Sequence, residues 1–320
     1  MNYSVLRLLL VVLGWPGVVV SLFLGYDAYV WVRAQYPMTP PVEHINTARV
    51  QHPFYHTRAL AALAAFKALP QAERKRISIG LSSDLMPLTA WLARLRHADY
   101  GVLCFGEDHT EETRRFLASD VVNRLPTDAL LLETTPEGLA RIERRLDDHW
   151  PYYPLHGVDI AALLRATRRL NPAVRIAAID QTPAEQVNDT LRDVSINANF
   201  WRQYRPGRHY LLLFGAFHCS SRPGWLYHYL QNSAPANLRM LNVRVLGEHQ
   251  DGPLEGLVYF LDELGLIRGD FAVVNTARLD THIRAWFPEL AQDTLSRFRC
   301  LLVFRNHVPA PTSRQSVAAR

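Results

Sequence analysis

The feature that most constrains this chain is a series of short, almost wholly apolar runs separated by stretches of helical periodicity. YGVLCF (100–105), DALLLE (128–133), VRIAAID (174–180) and RHYLLLFGAFH (208–218) are the central four, and LRMLNVRVLG (238–247), DFAVVN (270–275) and FRCLLVF (298–304) follow. A strand that is apolar at successive positions is buried on both faces, which is the habit of a parallel sheet rather than of a one-sided antiparallel one. Segments at 110–125, 136–149, 157–170 and 183–204 read as helices between the central strands. Further helical periodicity lies at 57–69, 85–97, 225–230 and 280–297. The expectation is an α/β fold: a mostly parallel sheet covered by helices on both faces, spanning 57–305.

In such sheets the ligand lies beyond the carboxyl ends of the strands, and ionisable residues gather there. The first central strand runs into Gly106-Glu107-Asp108-His109, the second ends in Glu133, the third in Asp180, and the fourth in Gly215-Ala216-Phe217-His218. Any one of these has an ordinary explanation: Asp108 as a helix cap, Asp180 as a turn former, a histidine hydrogen-bonded in the core. Their coincidence on one edge points to a functional cleft, because acids and bases gathered in a crevice are how active sites are built. Gly106 and Gly215 are expected to turn the backbone sharply and bring each histidine over the edge. Asp108 and Glu111 stand at capping-box spacing for the helix that follows. Its positive end would favour an anionic group in the cleft.

Two chemistries suit these residues. In one, Glu107, His109, Glu133 and His218 bind a divalent metal, zinc, manganese or iron, with Asp180 close by, and an open coordination position activates water. In the other, a histidine–carboxylate pair acts as general base on water without a metal. The G-x-S-x-G, H-E-x-x-H, P-loop and G-x-G-x-x-G signatures are missing from the sequence.

The amino terminus differs in kind. From Leu8 to Tyr26 there is no charged residue over 19 positions, which at a helical rise nearly crosses a hydrocarbon core of about 30 Å. No A-x-A site follows, so residues 1–34 are expected to form an uncleaved transmembrane anchor in an inner membrane, with the body on the periplasmic side. QYPMTPPVEH opens a proline-broken linker over 35–56, and residues 306–320 are expected to be a disordered tail. Charge is nearly balanced, 35 basic against 30 acidic residues, and the arginines are interleaved with acids rather than clustered, which argues against a nucleic-acid partner. A small molecule or peptide is the expected substrate. The three cysteines, Cys104, Cys219 and Cys300, lie in or beside apolar runs at spacings unlike a disulfide framework and read as small buried hydrophobes. HWPYYPLH (149–156) reads first as an apolar loop, with a lid or a wall that ligates or stacks on a flat cofactor as the alternative.

The order of GEDH, Glu133, RDVSINANF (192–200), GAFH and the closing DFAVVN and FRCLLVF runs resembles the superfamily that joins ChaN-like haem-uptake proteins, erythromycin-esterase-like proteins and the Tiki/TraB group. The likeness covers roughly residues 85–305. It implies an α/β domain whose Gly-Glu-x-His and Gly-x-x-His ends share one cleft, with Glu107, His109, Glu133 and His218 as site residues and Arg192 and Asn197 as polar helix positions. Some members resemble ester or peptide hydrolases, with or without metal, and others bind haem. The expected function is a membrane-tethered hydrolase of an ester or amide bond. Haem or metal binding without turnover is the alternative.

Overall fold

The computed structural model describes residues 53–144, 160–186, 191–248, 252–291 and 295–305. The expected anchor, the tail and the 149–156 stretch lie outside the described residues, as does the linker as far as residue 52. The linker ends sooner than expected, because a helix begins at Pro53, a residue suited to a first helical turn. Among the described residues no helix is long and apolar enough to cross a membrane.

Eight strands form one sheet: β1 (Leu85–Pro87), β2 (Val102–Glu107), β3 (Ala129–Leu132), β4 (Arg175–Ala178), β5 (Tyr210–Gly215), β6 (Met240–Gly247), β7 (Phe271–Val273) and β8 (Cys300–Phe304), in the order β1-β7-β8-β6-β2-β5-β3-β4. The pairs β8–β6, β6–β2, β2–β5, β5–β3 and β3–β4 are parallel, and β7 runs antiparallel to both of its neighbours. In chain order the helices are α1 (Pro53–Ala68), α2 (Gln71–Ser82), α3 (Leu88–His97), α4 (Glu111–Phe116), α5 (Pro136–Arg144), α6 (Ile160–Leu170), α7 (Pro183–Gln186), α8 (Arg192–Gln203), α9 (Leu226–Ser233), α10 (Gly252–Glu263) and α11 (Thr276–Trp286).

The twofold period of a strand sends alternate side chains to opposite faces. Leu103 and Phe105 of β2 join a core with Trp91 of α3, Leu117 and Leu164 of α6. Val102 and Cys104 point the other way, into a core with Ile196 and Phe200 of α8 and Leu226 and Leu230 of α9. A third core packs α1, α2, α10 and α11 onto β7 and β8. The fold is therefore mixed α/β with a mostly parallel sheet covered on both sides, as the apolar runs require.

Several boundaries differ from the sequence reading. Residues 85–97 are not one helix, because Leu85–Pro87 pair with Phe271–Val273 as an edge strand before α3 begins. The helix expected over 110–125 stays α-helical only to Phe116, then widens to a π turn (Leu117–Val121) and closes in a 3-10 turn. Its cap is Thr110, whose side chain accepts the Thr113 N–H, while Asp108 pairs with Arg244 of β6 instead. The helix expected over 183–204 is two helices, and Leu191 between them has extended backbone. The helix expected at 280–297 spans Thr276–Trp286 and gives way to 3-10 turns.

The cysteine reading needs the largest correction. Cys104 and Cys219 are joined by a disulfide, their Cα atoms 5.6 Å apart across a sequence separation of 115. The sheet register brings them together: Cys104 pairs with Leu212 on the adjacent strand, and the chain after β5 folds back over β2. Cys300 is free and buried, as expected.

Candidate active site

Glu107 is the last residue of β2, Glu133 follows β3 directly, and His218 follows β5 by one tight turn. Because β5 lies between β2 and β3 in the sheet, these three ends are adjacent. His109 completes the set in an unexpected way. It is the one non-glycine residue with positive φ among those described, at 54°. L residues avoid this left-handed region unless the surroundings enforce it. Here it turns the ring back over the end of β5.

The two glycines act differently from the expectation, since neither adopts a left-handed conformation. They make room. A Cβ on Gly215 would meet His109 Nε2 at 2.8 Å and Glu133 Oε2 at 3.3 Å. A Cβ on Gly106 would meet Ala216 Cα at 2.9 Å and the Cys219 Cβ at 3.1 Å. The first lets the imidazole sit against the sheet, and the second lets the His218 turn settle onto β2.

The result is a chain of alternating acids and bases. Glu107 Oε1 lies 3.1 Å from His109 Nδ1, and His109 Nε2 lies 3.3 Å from Glu133 Oε2. Glu133 Oε1 lies 3.3 Å from His218 Nε2, and His218 Nδ1 lies 2.6 Å from Asp193 Oδ1. Two imidazoles are thus threaded between three carboxylates, with Glu133 shared. Glu133 also accepts the Gly215 backbone N–H on Oε2.

Two arginines brace the ends. Buried Arg114 donates Nε to Glu107 Oε1 at 2.8 Å and brings Nη2 to 2.8 Å from His109 Nδ1. Arg192, at the start of α8, donates to Glu133 Oε1 at 2.8 Å and to both oxygens of Asp180 at 2.9 and 2.7 Å, with Nη1 3.2 Å from His218 Nε2. Asp193 also accepts the Leu226 N–H at the start of α9, so one buried carboxylate orients His218 and fixes a helix together. Glu107 Oε2 is buried and has no hydrogen-bond partner among the described residues.

Electrostatics follow from these contacts. Burial disfavours a charged His109, but hydrogen bonds to Glu107 and Glu133 and their charges outweigh it and raise its pKa to about 9. His218 is likewise opposed by burial and raised to about 9 by Asp193 and Glu133. Burial alone would raise Glu133; the two imidazoles beside it hold its carboxyl far below the usual range. At neutral pH both imidazoles are therefore charged, with the ionised Glu133 between them. His109, 27% exposed at its side chain, is the more open ring, against 10% for His218.

A cleft of about 540 Å³ lies over this chain, lined by Glu107, His109, Glu133, Arg192, Asp193 and His218 and rimmed by Leu191, Phe217 and Trp225. All four expected site residues thus meet in one place. Asp180 joins through Arg192. Asn197 does not join: it accepts from Trp201 Nε1 at 2.9 Å and contacts Ser233, away from the cleft. Asp193 and Arg114 are the residues that sequence reasoning missed, both being helical positions outside any strand end.

Among the described residues no group of three or more histidine, cysteine or carboxylate side chains is arranged to hold a metal ion. Both Nε2 atoms face the Glu133 carboxylate, and a guanidinium nitrogen already lies 3.2 Å from that of His218.

No family model matches the chain, and no curated protein matches it. Among solved structures it is similar to RRSP, a MARTX toxin effector domain from Vibrio vulnificus, with 18% identity over 56% of this chain and a TM-score of 0.30. The match spans 40% of that structure's chain.

Proposed function

We propose that this protein is a membrane-tethered hydrolase that cleaves an ester or amide bond by acid–base chemistry at His109. The observation that carries the reading is the unbroken run Glu107–His109–Glu133–His218–Asp193 beneath an open cleft. A ring flanked on both nitrogens by carboxylates has a fixed orientation and a defined place for its protons. When His109 loses one proton, the neutral ring can accept a proton from water. Water oxygen then bonds to the substrate carbonyl carbon, and the imidazolium returns the proton to the departing oxygen or nitrogen as the carbonyl–heteroatom bond breaks. Glu133, held by His218, Arg192 and the Gly215 N–H, keeps the ring over the cleft. No step requires a metal. The order of motifs, which resembles that of the ChaN-like, erythromycin-esterase-like and Tiki/TraB proteins, supports the same reading.

Tethering rests on the uncharged Leu8–Tyr26 run. Placement of the body on the periplasmic side is supported by the Cys104–Cys219 disulfide, since such bonds persist in oxidising compartments. Haem binding without turnover is the second reading, favoured by the aromatic rings of Phe217 and Trp225 at the rim beside His218.

The deciding experiment assays the full chain in detergent against a panel of ester and amide substrates, beside Glu107→Gln. The expected result is hydrolysis that falls at least about 10²-fold in the variant. Hydrolysis that survives Glu107→Gln unchanged overturns the proposal, and a Soret band on adding haemin to a protein without turnover supports the second reading.

A further inference from the structure

Among the described residues five large apolar side chains are exposed, and the two most exposed, Leu191 at 68% and Phe217 at 62%, both line the candidate cleft. Phe217 is the only aromatic of the five. Isolated exposed leucines are ordinary on protein surfaces, whereas a bare phenylalanine at the mouth of a cleft is not.

Its position is enforced. The turn after β5 is held by the His218 N–H to Gly215 carbonyl bond, the Tyr227 N–H to His218 carbonyl bond and the disulfide at Cys219. With His218 drawn into the floor by Asp193, its neighbour Phe217 is left at the rim. One face of the Phe217 ring stacks on Trp225, centroids 5.2 Å apart and 23° between planes. Trp225 in turn stands edge-on to His218 at 5.8 Å. Gly224, with φ of 88°, sets the backbone that delivers Trp225. A rigid aromatic pair therefore borders the reacting imidazoles, with Leu191 also on the rim. The cleft is of small-molecule size, and sites of this kind combine an apolar wall with a few fixed polar groups.

We propose that Phe217, Trp225 and Leu191 form a subsite for a flat aromatic group of the substrate, attached next to the carbonyl that the ionic floor acts on. The subsite rests on the hydrolase reading for its chemistry but not for its binding. A ring entering the cleft extends the Phe217–Trp225 stack and covers apolar surface that is otherwise in water.

Two arms test this with the full chain in detergent. In the first, methyl phenylacetate and methyl acetate are compared as substrates, and Phe217→Ser is expected to lower the ratio of their kcat/KM values at least tenfold, with Phe217→Tyr restoring it. In the second, binding of phenylacetone, an uncleavable ketone of the same shape, is followed by calorimetry against acetone. Saturable binding of phenylacetone, weakened at least tenfold by Phe217→Ser, is expected. Phenylacetone binding without cleavage of either ester supports the subsite while counting against the hydrolase reading. Cleavage of both esters with a ratio indifferent to Phe217→Ser, or phenylacetone binding no tighter than acetone, overturns the subsite and leaves the hydrolase reading standing.

Discussion

At the carboxyl end of β8, Arg305 donates to Glu248 at 2.6 Å and to Asp262 at 3.0 Å, and its backbone N–H donates to Asp270. Further along the same edge of the sheet, beyond β6, lie Glu107, His109, Glu133 and His218 at the ends of β2, β3 and β5. Both clusters are ionisable side chains gathered at parallel strand ends. In the first, acids meet a guanidinium that stays charged across the accessible pH range, and its pKa is pushed higher still by Asp262. In the second, imidazoles are interposed between carboxylates, and space lies above them. Charges at strand ends are thus not sufficient for a site. What distinguishes the cleft is a group that can change its protonation, held where a ligand can reach it.

Geometry offers the sharpest way to break the contrast. Gly215→Ala adds a single methyl group, but that methyl falls 2.8 Å from His109 Nε2 and 3.3 Å from Glu133 Oε2. The sheet backbone cannot yield easily, so the imidazole must. Turnover is expected to fall about 10²-fold or more while the protein still folds, because catalysis is intolerant of misplacements near 1 Å. Circular dichroism alongside the esterase assay checks this. Retained activity would mean that His109 works elsewhere than over β5.

The second difference is titration. His109 and His218 are raised to about 9 from an ordinary value near 6.5. A base that must first lose its proton gives a rate that climbs about tenfold per pH unit below its pKa, so kcat/KM is expected to rise through neutrality and level near pH 9. Stability moves oppositely. A folded-state pKa above the unfolded one contributes stability fully present below about pH 6.5 and lost as pH rises through about 9. A pH–rate profile beside thermal melts at pH 6 and 9 tests both. A profile that peaks near neutrality would assign the base to another group.

The disulfide sharpens the comparison in another way, because the cleft's turn is fastened covalently while the Arg305 cluster is not. Replacing Cys104 and Cys219 by serine opens a constraint over 115 residues and is expected to cost about 4 kcal/mol, read from denaturant melts. Since Cys219 follows His218 directly, turnover should fall severalfold even where the variant remains folded. An unchanged melting curve would show that the bond does not form in the protein.

Much of this was legible because apolar runs announce buried strands and the strand-end motifs are local. GEDH and GAFH each lie within four consecutive residues, and the parallel-sheet rule places both on one edge. What escaped depends on three-dimensional proximity. Cys104 and Cys219 are distant in sequence and meet only through the β2–β5 register. Asp193 sits in a helix, where a first-turn aspartate reads as favourable interaction with the helix dipole rather than as a partner for His218. β1 is three residues long and exists because β7 is there to pair with it, so the helical period of its neighbours concealed it. The role of Gly215 was misread for a related reason: a glycine kept free for another side chain looks the same in sequence as one that turns the backbone.

The smallest expected effect completes the contrast. Glu248→Gln keeps the shape of the side chain, removes one of the acids on Arg305 and leaves Asp262 in place. A largely buried acid–guanidinium contact of this kind is worth about 1 to 3 kcal/mol at most, so the melting temperature should drop by a few degrees. Turnover should stay within twofold of the unaltered protein, although Glu248 stands at a strand end on the same edge as Glu107. The parallel substitution Glu107→Gln, equally conservative in shape, removes the carboxylate charge beside His109. If both variants lose activity alike, the edge behaves as one electrostatic unit and the separation between bracing cluster and reacting cluster fails. A large loss for Glu107→Gln with none for Glu248→Gln assigns the chemistry to the part of the edge where imidazoles stand between the acids.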